Sequence, residues 1–372
     1  MVCHLDTRGA YGTADALQEC INRAPAYSSL EIPPGTYVLH RQVVVSTPLT
    51  IRTAGSAGTP LSCAANSTSC AVLAAAPDLL AMWGPLVVWS TNNVSLEHLV
   101  IDGNRSARVT STAAGFCLTR SNTFGFNASV LDCTDCTLDD VVSAHALCGT
   151  GMVWSGARAT IQRSAFMANG DAARSMWSDG LTLIYAPESV VRANQFVDNS
   201  DVALLIAYGV QSRVEDNVVA QRTQPSFAGL MLHNFNSNVR TSGDFRGAVI
   251  AGNTVDCGAL LCAFGIQVGP RPWNMKGIIV GGDLHDNAVR GAKVGINVDG
   301  AGMLGAPVAI YDNRVTPAPA GSYFSGCPQP IPADWMNVAP ASIVDRRDDT
   351  ARASSHLSDW CQLWSSLTVE DQ

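Results

Sequence analysis

A solenoid of parallel β-strands is the fold class this sequence predicts, and three observations predict it. From about residue 49 to Asn313 the chain runs as short apolar pieces separated by bends. Two signatures alternate along it. One is Gly followed by alternating apolars: Gly151-Met152-Val153, Gly180-Leu181-Thr182-Leu183, Gly229-Leu230-Met231-Leu232, Gly265-Ile266-Gln267-Val268 and Gly295-Ile296-Asn297-Val298. The other is Asn followed by a short apolar strand: Asn194-Gln195-Phe196-Val197, Asn217-Val218-Val219, Asn253-Thr254-Val255, Asn287-Ala288-Val289 and Asn313-Arg314-Val315. The spacing is the third observation. Asn194 to Asn217 is 23 residues, and the later intervals of 36, 34 and 26 read as the same coil with insertions. These gaps are too short for the helix of a βαβ unit. One coil cannot bury its apolar face alone, whereas coils stacked about 4.8 Å apart bury it against each other. Asn at one bend of every coil can stack its amide along the axis, and it tolerates left-handed backbone.

The elements follow in chain order. Thr13 to Ala24 carries apolar residues at Ala16, Leu17, Cys20, Ile21 and Ala24, the stripe of an amphipathic helix, with Thr13 as its N-cap. Leu30 to Leu39 reads as strand, turn and strand around Pro33-Pro34-Gly35. Residues 1–48 are thus expected to lead into the solenoid, 49–319 to form it, and 320–372 to be an irregular covering tail rather than a domain. That tail holds Trp335, Trp360 and Trp364, and a Cys327–Cys361 pair is expected to tie it.

Composition narrows the function. Only 15% of the 372 residues are charged, against about 25% in an ordinary soluble domain. Apolar residues make up 47%, which excludes a disordered chain, and no run of about 18 apolar residues offers a membrane span. A net charge of −8 argues against nucleic acid, which needs a basic face. The 12 cysteines include the close spacings Cys63/Cys70, Cys133/Cys136 and Cys257/Cys262. No second CxxC completes a four-Cys zinc site, so disulfides and an oxidising compartment are expected. Met1-Val2-Cys3-His4 is not followed by an apolar h-region, so the expectation is a secreted or periplasmic chain whose signal peptide has been removed.

The helix, the Ile32-Pro33-Pro34-Gly35-Thr36-Tyr37 segment and the Asn-anchored coils together resemble the right-handed parallel β-helix superfamily of pectate-lyase-like and polygalacturonase-like proteins. The resemblance covers roughly 85% of the chain. It implies that the helix caps the first coil, hiding an apolar edge. It also implies a polysaccharide or oligosaccharide substrate. Fold alone does not choose the reaction.

Asp179, in Trp177-Ser178-Asp179-Gly180, and Asp201, in Asn199-Ser200-Asp201, lie 22 residues apart, one coil length. Neighbouring carboxyls raise each other's proton affinity, so one can serve as acid while the other is base or nucleophile in glycoside cleavage. In polygalacturonases an Asn-Thr-Asp segment precedes an Asp-Asp pair by one coil, and a Gly-His-Gly follows. The resemblance therefore makes Asp179 and Asp201 catalytic candidates and His233, in Leu232-His233-Asn234, a third. Here a single Asp stands in the second motif, Gly does not flank the His, and no Arg-Ile-Lys follows. The plain alternative for both Asp residues is capping of a bend.

Asp171 and Arg174 sit in an insert before Asp179 and are candidate substrate contacts, since loops on a rigid scaffold carry binding residues. Trp177 and Trp273 are candidates for stacking on sugar rings, and Asn199 and Asn234 for bonding sugar hydroxyls. Hydrolysis of a glycosidic bond by the Asp179–Asp201 pair is the leading expectation, and it needs no cofactor. A lyase or epimerase would use an Arg, Lys, His or Tyr base and a cation such as Arg174, Arg222, Arg240 or Lys276. Asp132, Asp135, Asp139 and Asp140 suggest Ca²⁺ for such an enzyme, but Cys133 and Cys136 interrupt them and no EF-hand spacing appears, so an acidic turn is the plainer reading and no metal site is expected. A glycan-binding solenoid without catalysis is the remaining reading. Oligomeric state is left open.

Overall fold

The computed structural model describes residues 1–3, 5, 12–56, 63–119, 122–235, 238–259, 261–270, 273–274, 277–298, 306–316, 343–346 and 356–357. The chain divides into two compact units, Met1–Thr182 with Val190–Asp201, and Leu183–Ser189 with Val202–Gln372. Each is built of parallel strands paired from coil to coil.

In the first unit the helix spans Gly12–Arg23 and buries Ala14, Leu17 and Ile21. Thr13 lies inside its first turn, not ahead of it as a cap. The disulfide Cys3–Cys20 pins this helix. The Gln18 side chain bonds both the N–H and the C=O of Val44, at 2.8 and 2.9 Å. A helix side chain thus satisfies backbone groups of the strand Val43–Val45, whose other side pairs with Leu86–Val88, which is how a cap protects an edge. Parallel pairing begins earlier than residue 49: Ser28–Ile32 pairs with Leu49–Thr53. Leu30, Ile51, Leu96, Leu138, Ile161 and Val191 then fall in register on successive coils, each almost fully buried. Phe166 and Phe196, five residues on in the same two coils, stack 5.0 Å apart in the neighbouring file.

The second unit repeats the pattern with Val214, Ile250, Leu284 and Ile310 in one buried file, and Val219, Val255, Val289 and Val315 in another. Between these files the backbone turns through a left-handed residue on every coil: Asp216, Gly252, Asp286 and Asp312. The next residue is always Asn, and the Asn side chains form a ladder. Asn217 donates to Asn253, Asn253 to Asn287 and Asn287 to Asn313, each at 2.9 Å, across steps of 36, 34 and 26 residues. The first unit has a shorter ladder, Asn127 to Asn169 at 3.3 Å and Asn169 to Asn199 at 2.8 Å.

The recurrent glycines mark the other sheet. A Cβ on Gly229 would meet Val255 Cγ1 at 2.4 Å, and one on Gly265 would meet Val289 Cγ1 at 2.2 Å. Only a hydrogen fits where the sheets approach so closely. Backbone strands Ile343–Arg346 and His356–Leu357 add further parallel pairings, to Val308–Tyr311 and to Asn297–Val298. The expected Cys327–Cys361 pair lies outside the described residues. Among the described residues, Cys63–Cys70, Cys133–Cys136 and Cys257–Cys262 are disulfides, as their spacing suggests, and so is Cys117–Cys148.

Candidate active site

A cleft of about 540 Å³ opens on the first unit, where three coils end their strands side by side. Ser95–Asp102, Thr137–Ala144 and Ala165–Met167 are in register, with Asp102 opposite Ala144 and Ala144 opposite Met167. The chain then bends. Gly103 N–H bonds Ala144 C=O at 2.8 Å and His145 N–H bonds Met167 C=O at 3.1 Å, which brings His145 beside Asp102. His145 takes left-handed backbone, φ 57°. Gly103 has no room for a side chain, since a Cβ would meet the His145 carbonyl at 2.3 Å.

One wall is a helical insert that leaves the coil after Asn104: Arg105–Arg108, Thr112–Cys117 and Asn122–Gly125. The Cys117–Cys148 disulfide ties it down three residues after His145. Ala113, Ala114, Leu147, Cys148 and Met176 form the apolar packing beneath. Arg108 is buried there and donates to the carbonyls of Gly103, Leu79 and Phe124 at 3.1–3.3 Å. Burial pushes its guanidinium down to about 10. The other wall is a tight hairpin in which Asp171 and Met176 exchange backbone bonds at 2.7 and 3.0 Å, holding Ala172–Arg174 between them.

Asp102, His145, Arg105, Asp171 and Arg174 all line this cleft. Asp102 Oδ1 accepts from the Asn104 N–H at 2.7 Å and faces His145 Nδ1 at 3.1 Å. Burial raises the Asp102 carboxyl, but the bonds from His145 and Asn104 and the charges of His145 and Arg105 outweigh it, so its pKa lies below the ordinary value. An ionised Asp102 places the His145 proton on Nδ1 and leaves Nε2 as the nitrogen for proton exchange. Burial lowers the Arg105 guanidinium, and Asp171 and Asp102 oppose that shift, so the charges of the cleft sense one another. Arg174 bonds Asp171, with the guanidinium 57% exposed and the carboxylate 17%.

The residues expected from sequence divide between the units. Asp171 and Arg174 face each other in the cleft. Trp177 is half-buried, and its carbonyl accepts from the Gly149 N–H at 2.7 Å. Asp201 N–H bonds Ser178 C=O at 3.0 Å, the parallel-ladder bond that sets Asp201 next to Asp179 one coil on. Asp179 is only 8% exposed, and the Thr182 hydroxyl donates to its Oδ2 at 2.6 Å. Asn199 has its amide in the buried ladder, bonding Phe166 C=O at 3.0 Å, rather than on a sugar-facing surface.

In the second unit, Asn234 donates to the carbonyls of Ser242 and Ile278 at 2.8 and 2.7 Å and is likewise buried, holding two loops together. His233 is fully buried, neither ring nitrogen has a hydrogen-bond partner among the described residues, and burial pushes its pKa down to about 3. That places the imidazole out of proton exchange with solvent, so a general-base role does not fit it as it stands. Trp273 is 39% exposed.

The four carboxylates considered for Ca²⁺ have separate partners: Asp135 with Arg158, Asp139 with Arg163, Asp140 with His98, and Asp132 with Ser155. Among the described residues no group of three His, Cys, Asp or Glu side chains is placed to hold a metal, and no helix is long and apolar enough to cross a membrane.

Sequence reasoning missed Asp102, Asn104, Arg105 and His145. Asp102 and His145 are 43 residues apart, because the helical insert lengthens the coil between them. A search at a 23-residue period does not pair them. The available signal was chemical: a His and an Asp, each just after an apolar strand.

No protein-family model matches the chain, and no curated protein matches it. Solved structures do. Endo-xylogalacturonan hydrolase from Aspergillus tubingensis aligns at TM-score 0.57 and 11% identity, over 85% of this chain and 83% of that one. Alginate lyase from Paenibacillus sp. str. FPU-7 aligns at TM-score 0.55 and 14% identity, over 82% and 94%. A hyperthermoactive exopolygalacturonase from Thermotoga maritima aligns at 0.52 and 12%, over 85% of each chain. The chain therefore has the right-handed parallel β-helix fold, which these polysaccharide-active proteins share.

Proposed function

We propose that this protein acts on a uronate-containing polysaccharide, removing the proton next to the sugar carboxylate in a lyase or epimerase reaction. The observation that carries this reading is the His145–Asp102 pair set in one cleft with Arg105 and Arg174. His145 Nε2 is the base and takes the C5 proton. In elimination the C5–H electron pair forms the C4–C5 double bond as the C4–O bond breaks, and the leaving oxygen takes a proton from solvent. In epimerisation a proton from solvent returns to the opposite face of C5. Asp102 orients the ring and stabilises the imidazolium that forms. A guanidinium pairs the substrate carboxylate and so acidifies the adjacent carbon. Arg174 suits this task, since its exposed pair with Asp171 costs little to exchange for a ligand. The fold-mates that act on polysaccharides support the substrate class, and the disulfides support an oxidising, extracellular compartment.

The second reading is hydrolysis by Asp179 and Asp201, favoured by their neighbouring places on adjacent coils. One experiment separates the readings. Polygalacturonate, alginate and neutral polymers are incubated with the wild type, His145→Ala, Asp179→Asn and Asp201→Asn, and ultraviolet absorbance and reducing ends are followed together. The proposal predicts a product double bond, or an inverted uronate without cleavage, lost in His145→Ala. Reducing ends without absorbance, lost in both Asp variants and kept in His145→Ala, would establish the hydrolase instead. No change in any polymer would reject both reactions and leave glycan binding.

A further inference from the structure

His233 is a buried group left unsatisfied. Both its nitrogens lack a partner among the described residues, and the residue is fully buried. Native interiors rarely leave such a group unsatisfied, so each one calls for an explanation. Its neighbours suggest which use. Phe235 meets the imidazole edge-to-face at 4.2 Å and Trp273 at 5.8 Å. These two rings are each 39% exposed, among the few large apolar side chains at the surface of the second unit. Trp273 is braced from below by Phe227, 5% exposed, at 4.5 Å and 68°. The indole is therefore held in place before any ligand arrives, which lowers the ordering cost of binding.

We propose that Trp273 and Phe235 form a second glycan-binding platform, in the second unit, for an uncharged pyranose ring, with His233 as its hydrogen-bonding group. The C–H face of a pyranose suits an exposed indole. A neutral imidazole offers one donor and one acceptor, and sugar hydroxyls match both. Burial keeps the ring neutral, so it selects a hydroxyl over a carboxylate. Phe235 turns outward when the sugar reaches His233. The platform shares no residue with the cleft and needs no catalysis there.

Affinity electrophoresis of the full chain through gels containing β-1,4-galactan, xylan or polygalacturonate tests this. The wild type should be retarded by a neutral polymer. Trp273→Ala and His233→Leu should each raise the apparent Kd at least tenfold, and His145→Ala should leave it unchanged. His233→Leu should melt no lower than the wild type, because it removes an unsatisfied polar group, so lost binding cannot be put down to unfolding. A purely structural His233 predicts unchanged binding in that variant. No retardation in any gel, retardation by polygalacturonate alone, or equal retardation of wild type, Trp273→Ala and His233→Leu would overturn the platform. Loss in His145→Ala alone would overturn it too and leave the cleft standing. Retardation that depends on Trp273, without any reaction in the wild type, would support the platform and reject the proposed activity.

Discussion

The polar cleft of the first unit and the aromatic platform of the second treat polar groups in opposite ways. In the cleft each charged side chain has a partner: His145 with Asp102, Arg174 with Asp171, and Arg105 with the Ala168 carbonyl. On the platform the imidazole has none among the described residues. The cleft opens His145 to solvent beside an ionised Asp102, so it can exchange protons. On the platform the two outer rings are exposed but the imidazole is buried and neutral, so it can only accept and donate hydrogen bonds. Both are histidine sites, and water access decides what each histidine can do.

The largest effect that sharpens this contrast is on turnover. His145→Ala should lower it by about 10²–10⁴, the range for a lost general base, whereas His233→Leu should leave turnover on short substrates intact. Steady-state rates on both variants check this. Equal losses would erase the distinction between the two histidines.

Next is the support under each site. Cys117–Cys148 closes a separation of 31 residues beside the cleft, and Cys257–Cys262 one of 5 in the second unit. Loop-closure entropy gives roughly 3–4 kcal/mol for the first and about 2 for the second. Urea unfolding of the two Cys→Ser pairs should preserve that order. Loss of the first should also raise KM, because the insert forms the cleft wall.

The third effect is on acid stability. His233 is held at about 3, against 6.5 in an unfolded chain. The unfolded chain binds more protons between those values, so stability falls as pH drops from about 6.5 towards 3. Asp256, held at about 2, adds a later loss as pH falls below its unfolded value of 3.8: burial raises it, but bonds from Arg290, Arg222 and the Gly258 N–H more than offset that. His233→Leu should flatten the melting profile above pH 4 and leave the steeper loss below it. An unchanged profile would mean that His233 is not the buried neutral group described.

The smallest effect is Arg174→Ala. Its exposed pair with Asp171 should contribute less than about 1 kcal/mol to stability, so denaturation should hardly change while KM for a uronate substrate rises several-fold.

The coils were legible in the sequence because one physical requirement repeats at every bend. Asn217, Asn253, Asn287 and Asn313 each follow a left-handed residue and share one amide ladder along the axis, so the recurring Asn before a short apolar strand revealed them. The same logic misled at Asn199, where a ladder rung was read as a sugar contact: residue type does not tell an amide that stacks from one that binds. Asp171 and Arg174 were legible as an insert that breaks the strand pattern. Asp102 and His145 were not, because their meeting depends on a helical insert that hides the period. The burial of His233 was equally out of reach, since it depends on Phe235 and on Trp273, which is 40 residues away.

The central claim is that His145 takes a proton from carbon next to a uronate carboxylate. Incubating polygalacturonate and alginate with the protein in D₂O, and reading deuterium at C5 by NMR, tests it most directly, because elimination and epimerisation both pass through that proton transfer. The account predicts that substrate or product gains deuterium, or loses the C5 proton to a double bond, with the wild type and not with His145→Ala. Newly cleaved chains that carry neither deuterium at C5 nor a C4–C5 double bond, or proton transfer that survives in His145→Ala, would contradict it.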